Sequence, residues 1–274
     1  MAIYSDNEIQ VLGYPPKRRK PWKWIVPICI VGIVLVLSLV FIHQEEEDVD
    51  LRTFKTELKA PPPREPEPEM TSGVEYTAEE VNDVYMYLFR LIDMSAEMTL
   101  DVNEYKDSTE CIIVQAADIR KDNGKFVGDF VLNGEKLSSG KRKKGYCAIV
   151  NGEVSIGVSE DDEVMNRCIS QGGSFFRQFP LVVDGIMQKS NVKGKSIRRA
   201  LAKKGEDLYI IETDGRESMH NFAEALQDMG ITNAISLVGG DASYMHWLQE
   251  GELYENYDLD KVTNRNFLVF KRKE

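Results

Sequence analysis

The chain has 274 residues, enough for one or two domains, and its 34 lysines and arginines against 45 aspartates and glutamates give a net charge of −11. Nucleic-acid binding requires a basic face, so this acidic balance predicts no nucleic-acid partner. The charge does not exclude a small anionic ligand held by a local pair of arginines, because such a ligand needs only a few positive groups.

Residues 24–42 form an uncharged apolar run of 19 residues, preceded by a tail that contains Lys17-Arg18-Arg19-Lys20. A helix of this length rises roughly 28 Å, about one hydrocarbon core. The run is longer than the apolar region of a signal peptide and lacks a small-residue cleavage site, which favours an uncleaved anchor over a cleaved signal. Basic residues before the run and Glu45–Asp48 after it predict a cytoplasmic N-terminus.

These features predict four regions. A cytoplasmic tail (1–23) precedes a transmembrane helix (24–43), an acidic and proline-rich linker (44–75) and a folded domain (76–274). Prolines between residues 60 and 69 favour an extended stalk over a packed core. We expect a single-pass membrane protein with the bulk of the chain extracytoplasmic.

The first predicted element of the folded part is a helix over residues 78–93. Thr77 and Glu80 have the spacing of a capping box. Apolar residues then recur at helical spacing: Val81, Val84, Tyr85, Leu88, Phe89 and Ile92.

Short apolar runs and turn residues dominate the rest of the chain. Asn151-Gly152 between apolar runs predicts a hairpin. A second hairpin is predicted at residues 197–211. Helices are predicted at residues 160–170 and in the segment that Ser218 caps, and further strands at residues 111–114, 234–238 and 266–270. Because hairpins outnumber strand–helix–strand units, the predicted class is α+β, with a mixed, largely antiparallel sheet and flanking helices.

Two groups of residues carry no specific chemistry at this point. Lys141-Arg142-Lys143-Lys144 reads as a solvated loop, with contact to an anionic partner as the alternative. Cys111, Cys147 and Cys168 have no metal-ligand spacing, and buried free thiols are favoured over a disulfide. We therefore predict no metal site and no cofactor.

The stretch from Gly172 to Ser243 carries the clearest motifs. Its parts, in order, are Pro180-Leu181-Val182-Val183-Asp184-Gly185, Ser196-Ile197-Arg198-Arg199-Ala200, an amphipathic run around Phe222-Ala223, and Asn233-Ala234-Ile235-Ser236-Leu237-Val238-Gly239-Gly240. This order resembles the phosphodiester glycosidase family, the domain of the lysosomal "uncovering enzyme" and of many bacterial envelope proteins. The resemblance covers roughly residues 110–270.

The resemblance implies hydrolysis that releases a sugar from a sugar-1-phosphodiester, and a carbohydrate or glycosyl phosphate as ligand. It also implies that the membrane is bacterial and that the extracytoplasmic part lies in the periplasm or at the cell surface. Arginine suits the phosphate because its planar fork matches two phosphate oxygens. Strand alternation sends Arg198 and Arg199 to opposite faces. The resemblance favours Arg198 for the phosphate, which leaves Arg199 as a surface or ion-pair residue. The other predicted substrate-binding residues are Asp118, Gly239, Gly240 and Ser243.

Glycoside hydrolysis also needs carboxylates in different environments. The candidates are Asp118, Asp184, Glu212, Asp214 and Asp241, of which Asp214 and Asp241 are the predicted catalytic pair. A plain turn is the alternative for Asp214-Gly215 and for Asp184-Gly185. We expect Arg198 to face a polar cleft beside Gly239-Gly240 with one of the two catalytic aspartates nearby.

The chain departs from the family at two motifs. Val238 stands where the family has the aspartate of Leu-Asp-Gly, and Ala117-Asp118-Ile119-Arg120 stands where Asn-Gly-Gly-x-Phe is expected. Two functions therefore stay open, and with them whether the chain is an enzyme. One is a membrane-anchored hydrolase of glycosyl-1-phosphodiesters or related envelope exopolysaccharide. The other is a non-catalytic relative that binds a glycan or an envelope protein.

Overall fold

The structure is a computed structural model that describes residues 71–105, 111–140, 142–240, 243–249, 252–255 and 259–273. The predicted cytoplasmic tail, transmembrane helix and all but the end of the linker lie outside the described residues. Within those ranges, no helix is both long and apolar enough to cross a membrane.

Seventeen strands and two α-helices make up the described part of the chain. The strands are β1 (Gly73–Val81), β2 (Val84–Ile92), β3 (Met94–Thr99), β4 (Cys111–Gln115), β5 (Phe130–Leu132), β6 (Glu135–Ser138), β7 (Gly145–Val150), β8 (Glu153–Val158), β9 (Ser174–Gln178), β10 (Pro180–Val183), β11 (Ile186–Met187), β12 (Arg199–Lys204), β13 (Asp207–Thr213), β14 (Asn233–Ser236), β15 (Met245–Gln249), β16 (Glu252–Glu255) and β17 (Phe267–Arg272). The helices are α1 (Glu163–Ser170) and α2 (Met219–Asp228), and short 3-10 turns lie at Asn103–Tyr105 and Leu259–Lys261.

The strands form three sheets. A seven-stranded sheet has the order β1-β2-β13-β12-β14-β10-β11, and two five-stranded sheets have the orders β16-β15-β4-β17-β3 and β6-β5-β9-β7-β8. Every pairing between described strands is antiparallel. The sequence predicts a mixed sheet, so the prediction is wrong in this respect for the described strands. Antiparallel sheets with two helices confirm the α+β class.

The predicted helix over residues 78–93 is wrong, because this segment forms the hairpin β1–β2. Asn82 and Asp83 both have positive φ, 53° and 60°, as a two-residue hairpin turn requires. β2 also pairs with β13. Both faces of β2 are buried: Met86 is a buried residue of one face and Phe89 is a buried residue of the other. Apolar residues on both faces of a central strand imitate helical spacing, and pairing with β13 is a long-range contact that local sequence does not reveal.

Other sequence expectations hold. Asn151-Gly152 joins β7 to β8, and β12 pairs with β13 across Gly205. The Ser218 hydroxyl accepts a hydrogen bond from the Asn221 N–H at 3.0 Å and so caps α2. These local signals are correct because each turn or cap is specified by residues that lie next to one another in the chain.

The core has two main parts. The larger cluster joins all three sheets through residues such as Phe89, Ile112 and Phe130. The second packs Phe222 and Leu226 of α2 against the other face of the seven-stranded sheet. Three cysteines outside the predicted membrane segment are free and buried, which confirms the favoured interpretation of these thiols: Cys111, Cys147 and Cys168.

Candidate functional site

Three adjacent strands of the seven-stranded sheet bring their ends together. Arg199, the first residue of β12, pairs with Glu212 near the end of β13. On the other side of β12, Ala200 pairs with Ser236, the last residue of β14. Because β12 starts where β13 and β14 end, the loops that enter and leave these strands cluster at one edge of the sheet.

The Gly239-Gly240 turn packs against the chain that enters β12. A Cβ atom on Gly239 would lie 2.6 Å from the Ile197 carbonyl oxygen and 3.2 Å from the Arg199 nitrogen. No real side chain tolerates such contacts with backbone, and Gly240 has a φ of 113°. The two glycines are therefore required for the turn to lie against Arg198 and Arg199.

Two cavities open at this edge, and Ile197 lines both of them. The smaller cavity, about 140 Å³, contains three of the predicted site residues: Asp118, Arg198 and Gly239. The larger cavity, about 360 Å³, contains three others: Asp214, Gly240 and Ser243. The structure thus brings the predicted residues together in two neighbouring groups, while Asp241 lies outside the described residues.

Arg198 lies at the smaller cavity, and much of its guanidinium is used by the backbone. Its Nε donates to the Glu217 carbonyl at 2.8 Å and its Nη2 donates to the Gly194 carbonyl at 2.7 Å. Partial burial lowers the pKa of this guanidinium, and the nearby Glu217 opposes the shift. Nη1 makes no hydrogen bond within the described part of the chain, so one face of the fork remains for a ligand.

Arg199 forms a buried ion pair with Glu212, as expected for the arginine that does not hold a phosphate. Its Nε donates to Glu212 Oε2 at 2.7 Å, and Nη2 donates to the same oxygen. The two side chains are 0% and 5% exposed. The other carboxylate oxygen, Oε1, accepts a hydrogen bond from the Tyr254 hydroxyl at 3.3 Å. Burial, with Glu212 adding to it, raises the pKa of Tyr254, so this hydroxyl stays a donor.

Asp214 is exposed in the larger cavity, immediately after β13. Its amide donates to the Tyr85 carbonyl at 3.0 Å, which continues the pairing of β13 with β2 by one residue. The Tyr87 hydroxyl donates to Asp214 Oδ1 at 2.5 Å, and this bond raises the pKa of Tyr87 to about 12. Asp214 therefore occupies a strand end with an oriented carboxylate. Asp184 differs: with a φ of 48° it occupies the turn between β10 and β11 and lines neither cavity.

Val238 contacts the candidate site through its backbone. Its carbonyl accepts from Arg199 Nη1 at 3.3 Å, and its amide donates to the Ala116 carbonyl at 3.3 Å. Since Arg199 also holds Glu212, the arginine connects the position of the missing family aspartate to a carboxylate on the neighbouring strand. Glu212 is one of the candidate carboxylates from the sequence, and in the structure it lines the larger cavity.

Ser243 has a structural contact. Its hydroxyl donates to the Gly240 carbonyl at 2.8 Å, and its amide donates to the same oxygen at 3.0 Å. These bonds close the turn that follows Gly239, so Ser243 shapes the larger cavity through the backbone.

Lys143 corrects the interpretation of the basic run as a solvated loop. Its side chain is only 3% exposed, and its ammonium donates to Asp118 and, at 2.6 Å, to Gln178 Oε1. Burial lowers the pKa of Lys143, and the nearby Asp118 works against that shift. Arg142 and Lys144 are exposed as the sequence predicts, and Lys141 lies outside the described residues.

Sequence reasoning missed the tyrosines of the larger cavity, which are Tyr76, Tyr87 and Tyr254. Tyr87 comes from β2, where the sequence predicts a helix, and Tyr76 comes from β1, just before the start of that predicted helix. The missed signal is the alternation Tyr85-x-Tyr87, because residues two apart on a strand share one face. Within the described residues no group of three or more histidines, cysteines, aspartates or glutamates is close enough to hold a metal ion.

Comparisons with known proteins extend these observations. A zebrafish N-acetylglucosamine-1-phosphodiester alpha-N-acetylglucosaminidase catalytic domain, auto-inhibited by its pro-peptide, superposes with a TM-score of 0.50 at 13% identity, over 74% of this chain and 83% of that one. A hypothetical protein from Synechocystis superposes with a TM-score of 0.56 at 10% identity, over 73% and 62% of the two chains. At these identities the likeness shows the fold alone.

No curated protein matches the chain. The model of the phosphodiester glycosidase family, however, matches residues 109–270, more than half of the sequence and all of the candidate site except the tyrosines of β1 and β2. The chain belongs to the phosphodiester glycosidase family.

Proposed function

We propose that the protein is a membrane-anchored hydrolase that cleaves glycosyl-1-phosphodiesters or related phosphate-bearing polysaccharide of the cell envelope. The observation that carries the proposal is the pair Glu212 and Asp214. Glu212 lies near the end of β13 and Asp214 directly follows the strand, so the two side chains point to the same side. Both line the larger cavity, which we call the tyrosine-walled cavity because Tyr76, Tyr87 and Tyr254 line it too. Two carboxylates in different environments are what glycoside hydrolysis requires.

The environments assign different roles to the two carboxylates. Asp214 is exposed and reachable by water, so it acts as the base that removes a proton from the attacking water. Glu212 is buried and fixed by Arg199, so it stabilises the positive charge that develops at the anomeric carbon. The water oxygen bonds to the anomeric carbon as the carbon–oxygen bond to phosphate breaks, and the phosphate monoester leaves with the bonding electrons.

The sugar and the phosphate occupy different parts of the site in this proposal. Tyr76, Tyr87 and Tyr254 line the larger cavity, and an aromatic lining with polar hydroxyls suits a sugar ring, which has apolar faces and a polar edge. Arg198 borders the adjoining smaller cavity and has Nη1 available, which suits a phosphate oxygen. The scissile bond would then lie near Ile197, the residue common to both cavities.

Hydrolysis tests this assignment. The full-length protein, purified in detergent, should release N-acetylglucosamine and aryl phosphate from an aryl phosphodiester of N-acetylglucosamine-1-phosphate. An excess of added phosphomonoesterase then frees the chromophore from the aryl phosphate and reports the rate. Asp214→Asn should lower kcat by about 10²–10⁴, the usual worth of a general base. A wild-type rate equal to that of Asp214→Asn would contradict the assigned base.

A second function is favoured by Val238, which replaces the family's aspartate. In this alternative the protein keeps the fold and binds a glycan or an envelope protein without cleaving it. Binding of the phosphodiester with no turnover, together with a gain of turnover in Val238→Asp, would support the alternative. The two functions are thus separated by the same substrate.

The membrane anchor and location are part of the proposal. They are supported by the apolar run at 24–42, the basic residues before it and the acidic residues after it. A reporter inserted after Glu69 should be active only if it works in an exported compartment. Activity of a cytoplasm-dependent reporter at that position would contradict the topology.

A further inference from the structure

A cleft of about 630 Å³ adjoins the smaller site cavity. The two share Asp118, Phe179 and Val192. The charged part of the cleft lining consists of four cations and one carboxylate: Lys121, Arg142, Lys143, Lys189 and Asp118. A protein with a net charge of −11 therefore concentrates positive charge in a concave surface beside its candidate site.

One of these cations is neutralised by the protein itself. Lys143 is buried and its ammonium binds Asp118, the sole carboxylate among the residues that line the cleft. The other three cations are exposed: Lys121, Arg142 and Lys189. Within the described ranges none of the three forms an ion pair or a side-chain hydrogen bond. Three like charges that line one cleft repel one another unless an anion lies among them.

We propose that this cleft binds a second phosphate of the substrate, so that the substrate is an ester with two or more phosphates, such as a glycosyl diphosphate or a phosphodiester-linked polymer. The inference rests on the proposed function, which places the sugar in the tyrosine-walled cavity. A single phosphodiester carries one negative charge and has Arg198 beside it. Three additional cations in an adjoining cleft match a ligand of higher negative charge.

The size and the walls of the cleft agree with this ligand. A volume of about 630 Å³ falls within the range of about 300–1,000 Å³ typical of small-molecule sites. Phe179, Pro180 and Val192 supply apolar wall, which excludes water and strengthens the attraction between the cations and phosphate. The smaller cavity adjoins both the cleft and the sugar cavity, so one extended substrate can reach all three.

Calorimetric titration with inorganic tripolyphosphate tests the proposal. The full-length protein in zwitterionic phosphatidylcholine nanodiscs should bind tripolyphosphate at least tenfold more tightly than orthophosphate. The double variant Arg142→Gln/Lys189→Gln should weaken tripolyphosphate binding about tenfold or more, equivalent to ~1.4 kcal/mol. Raising the salt concentration should weaken wild-type binding as well. Lys204→Gln is the matched control, because Lys204 is also exposed but ends β12 at the opposite edge from Arg199.

Several outcomes would overturn the inference. Equal affinity in the double variant and the wild type would show that the cleft is not the binding site, as would an equal loss in Lys204→Gln. Loss of tripolyphosphate binding in phosphatidylglycerol nanodiscs would mean that lipid head groups occupy the cleft.

The measurement is independent of turnover, which separates the two proposals. Asp214→Asn should leave tripolyphosphate binding unchanged even though it slows hydrolysis. Tripolyphosphate binding without any hydrolysis of the aryl phosphodiester would therefore reject the proposed hydrolase and retain the anionic cleft.

Discussion

Arg177 and Arg199 are both buried arginines bound to a buried carboxylate, but their surroundings differ. Arg177 donates from Nε to Asp129 at 2.6 Å, and from Nη1 and Nη2 to the carbonyls of Ser159 and Asp161 at 2.6 and 2.7 Å. The second oxygen of Asp129 accepts from the Gly140 amide at 3.0 Å. The charged groups of this pair are thus enclosed by hydrogen bonds to backbone and to each other, and neither group lines one of the two site cavities.

The pair Arg199–Glu212 has the same chemistry but faces a cavity. Arg199 binds the carbonyls of Val238 and Tyr244, and Glu212 lines the tyrosine-walled cavity with Oε1 near Tyr254. The Arg177–Asp129 pair therefore connects loops to a strand, whereas the Arg199–Glu212 pair holds a carboxylate at a cavity. The difference lies in what the carboxylate can reach, because the arginines are equally buried.

The largest expected effect is on stability, at the enclosed pair. Arg177→Met removes the buried partner of Asp129, leaves only the partly exposed Lys136 at 3.3 Å, and should lower the free energy of unfolding by about 3–5 kcal/mol. The control is Arg90→Met, since Arg90 is 37% exposed with Glu75 and Asp207 as partners and should cost at most about 1 kcal/mol. Urea denaturation measures the free energy of unfolding of both variants. An equal loss in Arg177→Met and Arg90→Met would contradict the expectation that burial makes the first ion pair more important.

The next effect is on catalysis, at the pair that faces the cavity. Glu212→Gln and Asp129→Asn both break a buried ion pair, so both should destabilise the fold. Only Glu212→Gln should also lower kcat, by about 10²–10³, because a preorganised charge is removed from the reacting centre. Rates per folded molecule with the aryl phosphodiester distinguish them, and a similar fall in both variants would remove the distinction between the two regions.

A pH-dependent effect sharpens the description of the enclosed pair. Burial opposes the ionisation of Asp129, but hydrogen bonds from Arg177 and Gly140 outweigh it and hold its pKa below the usual value. Stability from this carboxylate is present above its unfolded pKa, about 3.9, and is lost as pH falls through the folded pKa. The stability gap between wild type and Asp129→Asn should therefore narrow below about pH 4. A constant gap from pH 7 to pH 2 would contradict this account.

The smallest expected effect is at Tyr87. Tyr87→Phe removes the hydrogen bond to Asp214, which should lower kcat/KM about three- to tenfold, near 1 kcal/mol. Its pKa of about 12 means that the hydroxyl remains protonated across pH 5–9, so the wild-type profile should show no tyrosine titration there. Tyr85→Phe is the control, since its side chain makes no hydrogen bond to Asp214 in the structure.

Local signals in the sequence predicted much of the fold. The turns at Asn151-Gly152 and Gly205 and the cap at Ser218 depend on neighbouring residues only, and all three are correct. The β1–β2 hairpin could not be recognised in the same way, because Val81, Val84 and Leu88 fit a helix equally well. Pairing of β2 with β13, more than one hundred residues later, decides between the two.

The residues of the candidate site likewise fall into those that local motifs reveal and those that depend on long-range packing. Asp118, Arg198, Asp214 and the two glycines could be named because they lie in motifs, although their grouping into two cavities depends on the sheet order. Lys143 could not be distinguished from its basic neighbours, since only the packing of β7 against β9 buries it beside Gln178. Tyr87 was missed because its strand was predicted to be a helix, whereas Tyr76 and Tyr254 lie in strands that the sequence did not predict.

The position of the β1–β2 hairpin has a practical consequence. The family match begins at residue 109, yet β2 lies between β1 and β13 inside the seven-stranded sheet. A protein shortened to the matched region would lose the edge that covers β13 and would expose unpaired backbone along that strand, a template for aggregation. Expression of such a fragment should give insoluble material, and a soluble fragment would lack Tyr76 and Tyr87, which line the larger cavity.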